Sequence, residues 1–457
     1  MDEIRVLAPS GMLGSGYLES SLSRAMEWEP HFLGCDAGSS DPGPDALGRG
    51  GCQFPKAAVK RDLRLMLLAA RSQAVPAIVG SAGTAGGDLN LAWTREIVEE
   101  IAYDEGLHFR MAVIHSEQDK EYLKRRLREG RIKPLRPAPS VSEEIIDRSA
   151  HIVGMMGAEP FARAVLDEGA DMVLAGRSSD TSIFAALPVR KGFSPGPVWH
   201  AAKILECGAA SVAVRKSPDC MMAWVRQDHF VVEPPNPEYW CTPQSVASHT
   251  LYENADPFYL VESSGTLDTS KARYEAVSDR AVRVRGSQFV PAKRYTVKLE
   301  GAELVGYQSV VIGGVRDPII IRQLDDWLAR MRERLAGRIR DAFGGLEMDD
   351  DYRVGFRVYG LNGTMGPLEP VKTPAHEVCL FIEITASSAE LARAIADSAH
   401  HLALHFPVPE WHGLISGLAF PYSPPVLDRG AVYRFNLNHV VEPDTPYEMF
   451  PMEMVEV

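Results

Sequence analysis

Short polar side chains follow three apolar segments of this chain, each at the point where a predicted strand ends. The segments 31–34, 77–80 and 172–175 each run directly into a loop rich in Gly, Ser, Thr and Asp. In an open α/β sheet the carboxyl ends of parallel strands share one edge, so loops far apart in sequence can converge there. Hydroxyls and carboxylates supply hydrogen bonds and proton transfer, and glycine lets backbone N–H groups approach a ligand. The pattern predicts a small-molecule site, most simply that of an enzyme.

The first of these loops carries two carboxylates. If Asp36 and Asp41 are held close together, they can shift each other's pKa or share a hard divalent cation. Alternatively, the Ser and Asp side chains only shape a turn before Pro42. Because strand-end loops are where sites form, we favour the functional interpretation. The residues predicted to bind substrate, drawn from all three loops, are Ser39, Asp41, Ser81, Thr84, Asp88, Arg177, Ser178 and Thr181.

Four residues are predicted to be catalytic, namely Asp36, Asp180, His200 and Lys203. Asp180 stands at the start of a predicted helix, and His200 and Lys203 lie three residues apart on one face of the next helix. A His and Lys pair beside a carboxylate can supply general acid and base. The alternatives are that Asp180 only caps its helix and that His200 packs in the core. Lys203 would then pair with Glu206 on the surface.

A bound dinucleotide remains an alternative, and no cofactor is assigned. Gly14 and Gly16 follow the first predicted strand, and Asp36 comes about twenty residues later, as in a dinucleotide site. Glu19 stands where the third glycine is expected, and its charge would repel phosphate. No metal is predicted, because the cysteines lack C-x-x-C spacing and the histidines lack that of metal ligands.

Composition excludes several classes of partner. The 457 residues carry 48 Lys and Arg against 61 Asp and Glu, a net charge of −13. Nucleic acid and anionic membranes require a basic surface, so neither is expected as a partner. No apolar run approaches the ~18 residues that span a bilayer. The amino terminus lacks the basic start and apolar core of a signal peptide. We therefore predict a cytoplasmic protein, and we expect a homo-oligomer.

Alternating strands and helices must position these residues. From residue 1 to 215 the alternation predicts an α/β fold with a Rossmann-like, largely parallel sheet. Residues 216–345 are predicted to be rich in β-strands, because short runs of β-branched residues are separated by glycine. Together, 1–345 are predicted to form one domain.

The end of that section and the tail have their own patterns. A strand is expected at 319–321, followed by a helix whose apolar face at 324–339 we expect to pack back on the first domain. Residues 350–457 are predicted to form a ferredoxin-like α+β domain, because strands flank a helix at 389–404 that opens with a capping box.

Four motifs in the same order resemble the AtuA-type acyclic terpene utilisation family. They lie at 34–44, 175–181, 199–208 and 295–301, and the resemblance covers roughly 4–345. The tail is similar to the small ferredoxin-fold domain that often accompanies this family. The resemblance implies a role in catabolism of acyclic terpenes through acyl-CoA intermediates, and it carries no agreed catalytic residues.

These observations lead to one functional hypothesis and two alternatives. We predict a catabolic enzyme that acts on a small carboxylate or acyl-CoA of a branched or terpenoid acid by proton transfer. Its class would be that of a lyase (hydratase or dehydratase) or an isomerase. Arg177 and the glycine-rich loop at 81–88 would hold the anionic end. The alternatives are an NAD(P)-dependent oxidoreductase and a non-catalytic subunit of an acyl-CoA carboxylase or lyase complex.

Overall fold

The computed structural model describes residues 2–410 and 417–457. In chain order its strands are β1 Ile4–Ala8, β2 Phe32–Asp36, β3 Ala77–Gly80, β4 Arg110–Ile114, β5 Ile132–Pro134, β6 Ser149–Gly154, β7 Met172–Ala175, β8 Met221–Val225, β9 His229–Glu233, β10 Tyr259–Glu262, β11 Gly265–Asp268, β12 Arg273–Ala276, β13 Val282–Arg285, β14 Gln288–Pro291, β15 Val297–Val315, β16 Tyr352–Tyr359, β17 Val378–Ala386, β18 Val426–Val441 and β19 Met452–Glu456.

The α-helices alternate with the strands in the first half of the chain. They are α1 Glu19–Met26, α2 Asp45–Arg49, α3 Lys56–Ser72, α4 Asp88–Glu105, α5 Lys120–Arg128, α6 Glu143–Arg148, α7 Ala158–Ala162, α8 Asp180–Arg190, α9 Pro195–Leu205, α10 Pro243–Thr250, α11 Pro318–Arg322, α12 Leu324–Ala342 and α13 Ala389–Leu404. Among the described residues, none of these helices combines the length and apolarity that crossing a bilayer requires. The cytoplasmic location stays a prediction.

The chain forms two compact units. The first comprises Met1–Glu303 and Phe435–Val457, and the second comprises Leu304–Arg434. These units are groups of residues in mutual contact, whereas the boundary predicted between 345 and 350 separates two domains that each fold independently. That boundary stays a prediction.

A ten-stranded mixed sheet forms the centre of the first unit. Its order is β12-β13-β9-β8-β1-β2-β3-β7-β4-β19. The five strands from β1 to β4 in this order pair in parallel. Antiparallel strands extend both sides, with β8 next to β1 and β19 next to β4. Every residue of β2, β3 and β7 is buried, as expected for strands covered on both faces. The predicted α/β class with a largely parallel sheet is confirmed.

Two glycines allow the strand-end loops of the first unit to touch through their backbones. A Cβ on Gly38 would lie 1.8 Å from the carbonyl oxygen of Thr84. A Cβ on Gly86, whose φ is +67°, would lie 2.1 Å from the amide nitrogen of Arg177. Only glycine fits so close an approach. The three loops therefore converge at one edge of the sheet, as the sequence predicts.

The second unit contains antiparallel strands and two long helices. The segment Tyr307–Val315 of β15 pairs with β17, and β16 pairs with the other edge of β17. The order of the elements, strand–helix–strand–strand–helix–strand, is that of a ferredoxin-like unit. Its first helix is α12, whose apolar face packs in the core of this unit and not on the first domain as we expected. Trp327 on that face donates to the carbonyl oxygen of Phe406, 2.9 Å away.

The strand expected at 319–321 is wrong, because these residues lie in helix α11. Asp317 caps the helix by accepting from the amides of Ile319 and Ile320, at 2.7 and 3.2 Å. Pro318 follows at the first helical position, where its fixed φ suits a helix. The cap and the proline outweigh the strand preference of three consecutive isoleucines.

Candidate functional site

A cleft in the first unit opens where the loops after β2 and β7 meet. Its larger chamber has a volume of about 550 Å³, and a smaller chamber has about 270 Å³. Residues lining both chambers are Ser39, Asp41, Asp180, Glu206 and Glu253. Because the chambers share these residues, we treat them as one site, called the cleft below.

Arg177 is held in the wall of the cleft by a buried carboxylate. Its Nε donates to Glu300 Oε2 at 3.0 Å, and its Nη1 donates to Ser81 Oγ at 3.2 Å. Lys298 Nζ donates to the other oxygen of Glu300 at 2.8 Å. Burial alone would raise the pKa of Glu300, but the charges of Arg177 and Lys298 outweigh it and lower that pKa to about 2. Both cations are therefore already paired with a carboxylate that is ionised at neutral pH.

Asp36 is a buried carboxyl with one free oxygen. The residue is 3% exposed and lines the smaller chamber. Its Oδ2 accepts from the amide of Gly38 at 3.2 Å, whereas Oδ1 has no hydrogen-bond partner in the described part of the chain. Burial, and secondly the charge of Asp180, raise the pKa of Asp36 well above its ordinary value. This carboxyl favours its protonated form.

Asp180 begins helix α8 and faces both chambers. Its side chain is 39% exposed, and the exposed part lines the cleft. Burial raises the pKa of Asp180 to about 6, although the charges of Arg177 and Lys203 lower it. Arg177 Nη1 lies 3.9 Å from Asp180 Oδ1. Burial thus raises the pKa of both carboxyls, Asp36 and Asp180, in the same cleft.

Lys203 reaches the cleft from helix α9 and pairs with Glu206 one turn later. Both side chains are buried, and Lys203 Nζ donates to Glu206 Oε1. Burial raises the pKa of Glu206 to about 8, opposed by Lys203 and reinforced by the charge of Asp180. The pair therefore lies in the cleft wall, not on the surface.

Glu262, at the end of β10, is a further carboxyl of the cleft. It accepts from Ser179 Oγ at 2.7 Å and from the hydroxyl of Thr181. Burial raises its pKa to about 7, although these two hydrogen bonds lower it. Sequence reasoning missed Glu253, Glu262, Lys298 and Glu300. The only available signal was the motif at 295–301, which contains Lys298 and Glu300 but was quoted only for its family resemblance.

The structure brings most of the predicted site residues to the cleft. Those that line it are Asp36, Ser39, Asp41, Arg177, Asp180, Thr181 and Lys203. Ser81 is buried behind Arg177 and contacts it. The chemical roles of these residues stay predictions.

His200 does not lie in the cleft, contrary to what we expected from its spacing with Lys203. The ring is fully buried, with Nδ1 2.6 Å from Ser287 Oγ and Nε2 2.9 Å from Thr250 Oγ1. Burial lowers the pKa of His200 to about 3, so the ring is neutral. Because α9 is buried on all its faces, His200 and Lys203 meet different surroundings.

Three loop residues predicted to bind substrate also lie outside the cleft. Asp88 Oδ1 is 2.8 Å from His115 Nδ1, on a separate part of the surface. The hydroxyl of Thr84 accepts from the amide of Gln53 at 2.9 Å. Ser178 is fully buried next to Gly80. Thr84, Asp88 and Ser178 are therefore not among the residues that line the cleft, and the predicted role of the loop at 81–88 in holding an anionic end stays a prediction.

The glycine turn after β1 is occupied by a carboxylate of the chain itself. Asp62 Oδ2 accepts from the amides of Gly14 and Gly16, at 2.9 Å each. Asp62 is fully buried on helix α3. A dinucleotide would need these amides for its phosphates, so the geometry does not favour the oxidoreductase alternative. Within 2–410 and 417–457, no group of three or more His, Cys, Asp or Glu side chains is arranged to hold a metal ion.

The fold is that of an α/β protein, and its cleft is lined by titratable side chains. The chain belongs to the acyclic terpene utilisation family: the model for "Acyclic terpene utilisation family protein AtuA" matches residues 57–212 and 227–415. The family resemblance predicted from the four motifs is confirmed, and it implies a role in acyclic terpene utilisation. Comparisons with curated proteins and with solved structures gave no significant match. The matched ranges include Asp180, Lys203, Glu262 and Glu300, whereas Asp36 precedes them.

Proposed function

We propose that this protein is an enzyme that transfers protons on a small carboxylic acid or acyl-CoA of a branched, terpenoid acid. The reaction would be a hydration or dehydration, or the movement of a double bond. One observation carries the proposal: Asp36 and Asp180 line one cleft in different surroundings, Asp36 almost fully buried and Asp180 partly exposed and 3.9 Å from Arg177. Pairs of carboxyls with separated pKa values are a recognised basis for assigning acid and base.

Asp36 is the proposed acid and Asp180 the proposed base. At neutral pH the pKa of about 6 leaves Asp180 mostly ionised, and burial favours the protonated form of Asp36. In a hydration, Asp180 takes a proton from water as the water oxygen bonds to one alkene carbon. Asp36 gives its proton to the other carbon as the double bond is lost. The reverse sequence expels water.

The two sides of the larger chamber fit the two parts of such a substrate. Leu135, Met155, Leu260 and Val261 line it and can accept a branched hydrocarbon chain. The cations of the larger chamber already have partners in the chain: Arg177 and Lys298 donate to Glu300, and Lys203 donates to Glu206. A free carboxylate would lose its water without gaining an unpaired cation, so the cleft favours the uncharged thioester of an acyl-CoA over the free acid.

The test compares three isosteric substitutions. The variants Asp36→Asn and Asp180→Asn remove a titratable group from the cleft. Asp88→Asn makes the same change in a strand-end loop that lies outside it. Each protein is incubated in D2O with a branched 2-enoyl-CoA or its free acid. Mass spectrometry then follows deuterium incorporation and the addition of water.

We expect the cleft variants to lose about 100-fold or more in rate, with wild-type circular dichroism. The Asp88→Asn protein should retain its activity. Wild-type activity in both cleft variants would remove these carboxyls from the mechanism. A wild-type protein that neither exchanges protons nor adds water to either probe would contradict the proposed function. A stable partner copurifying from the native host would then support the alternative of a non-catalytic subunit.

A further inference from the structure

A groove between the two long helices of the second unit carries charged side chains that the fold does not use. Its volume is about 670 Å³, within the range typical of small-molecule sites. Helix α12 contributes Arg330, Arg334 and Arg338, which follow one another at intervals of four residues and so lie on one face. Helix α13 and the residue after it contribute His401 and His405 at the same interval. Five nitrogen-donor side chains thus face one space.

The arginines of α12 divide into two groups by their partners. On other faces of the helix, Arg332 donates to Asp349 at 2.8 and 2.9 Å, and Arg340 donates to Glu347 at 2.6 and 2.7 Å. In the groove, Arg334 and Arg338 make no hydrogen bond or ion pair with any residue in 2–410 or 417–457. The groove arginines therefore do not serve the stability of the fold through ion pairs.

Arg330 is partly used and partly free. Its Nε donates to Asp326 at 2.8 Å, and its guanidinium lies over the ring of Phe406 at 5.7 Å from the ring centre. Its Nη2 is buried and has no hydrogen-bond partner among the described residues. The guanidinium of Arg330 is therefore held by Asp326 and Phe406 where it lines the groove.

The floor and rim of the groove limit what can bind. Gly337 lies between the free arginines, and a Cβ there would meet nothing within 4 Å. Glycine inside a helix costs stability relative to alanine, so packing does not explain this residue. Leu402 and Phe406 supply an apolar wall, and Glu333 and Asp341 also line the groove. Arg330 is already paired with Asp326, so among the described residues Arg334 and Arg338 are the groove cations that remain available to an anion.

We propose that this groove binds a phosphorylated small molecule, a phosphate or diphosphate ester whose planar or apolar group lies against Phe406. Guanidinium forks match phosphate oxygens, and imidazoles can add further donors. The groove belongs wholly to the second unit, so the proposal does not depend on the function proposed for the cleft.

The test measures binding by the full-length protein with isothermal titration calorimetry. The probes are adenosine diphosphate, inorganic phosphate and vesicles of phosphatidylglycerol. The double variant Arg334→Ala/Arg338→Ala removes both free arginines, and Arg340→Ala is the control on the same helix. A second variant, Gly337→Met, fills the floor with a good helix former and so separates loss of binding from loss of folding.

We expect saturable binding of adenosine diphosphate and weaker binding of inorganic phosphate. Affinity should fall about tenfold or more in the double variant and in Gly337→Met, and it should not change in Arg340→Ala. Three results would overturn the proposal: no binding of adenosine diphosphate, equal affinity in the wild type and double variant, or binding of vesicles alone. Binding that survives Gly337→Met would likewise place the ligand elsewhere.

Discussion

Replacing Glu262 or Glu300 by glutamine should change the free energy of unfolding in opposite directions. Burial raises the pKa of Glu262 from 4.5 to about 7, whereas Arg177 and Lys298 outweigh burial and lower the pKa of Glu300 from 4.5 to about 2. Both side chains are almost fully buried. Glutamine preserves their shape and removes their titration.

The magnitudes follow from linkage. A carboxyl whose folded pKa is raised loses stability as pH rises from its unfolded pKa to its folded pKa. At about 1.4 kcal/mol per pH unit, ionising Glu262 costs about 3 kcal/mol once the pH is above 7. For Glu300 the sign is reversed, so its charge contributes about 3 kcal/mol above pH 4.5, which is lost as pH falls toward 2.

The assay is urea denaturation of each variant at pH 4.5 and 7.5. At pH 7.5 we expect Glu262→Gln to unfold at higher urea than wild type and Glu300→Gln at lower urea. At pH 4.5 the advantage of Glu262→Gln should disappear, whereas the loss in Glu300→Gln should persist. If Glu262→Gln is destabilised as much as Glu300→Gln at pH 7.5, then Glu262 is an ionised group held by its hydroxyl donors. The reasoning from burial would then be wrong.

Three further substitutions test the remaining parts of the site. Lys203→Met removes a charge that lowers the pKa of Asp180. The acidic limb of the pH–rate profile should therefore move up by about one pH unit. An unmoved limb would show that Lys203 and Asp180 do not interact. His200→Phe should reduce the free energy of unfolding by about 1–3 kcal/mol and leave kcat unchanged, whereas a fall in kcat with wild-type stability would restore a catalytic role. Gly38→Ala forces the loop away from Thr84, and kcat should fall about 100-fold; an active, stable variant would show that the loop contact is not required.

The convergence of loops could be predicted from sequence because it depends on local patterns. Apolar strands followed by polar loops identify the carboxyl edge of a parallel sheet, and Asp36, Arg177 and Asp180 follow from that rule alone. The rule does not say which side of each loop faces the cavity. Asp88 occupies the same kind of position as Asp180, yet it pairs with His115 outside the cleft.

The glutamates Glu262 and Glu300 could not be predicted as site residues, because their positions depend on contacts between segments far apart in the sequence. Glu300 lies on β15, which pairs with the distant strand β6. Glu262 lies on β10, which pairs with the neighbouring strand β11, and it meets the site through contacts with Ser179 and Thr181, about 80 residues earlier in the chain. Spacing on α9 was equally uninformative, because a helix buried on every side has no polar face to indicate direction. His200 and Lys203 therefore could not be separated by periodicity.

The segment 435–457 has a consequence for how the protein is made. It returns to the first unit after the whole second unit has been synthesised, and its strand β19 covers the outer edge of β4. The amino-terminal part of the chain leaves the ribosome first. The outer edge of β4 therefore has unpaired backbone groups while more than a hundred later residues are still being added. Nascent chains that stall in the second unit would expose that edge to one another, and chaperone capture at this stage would protect them from aggregation.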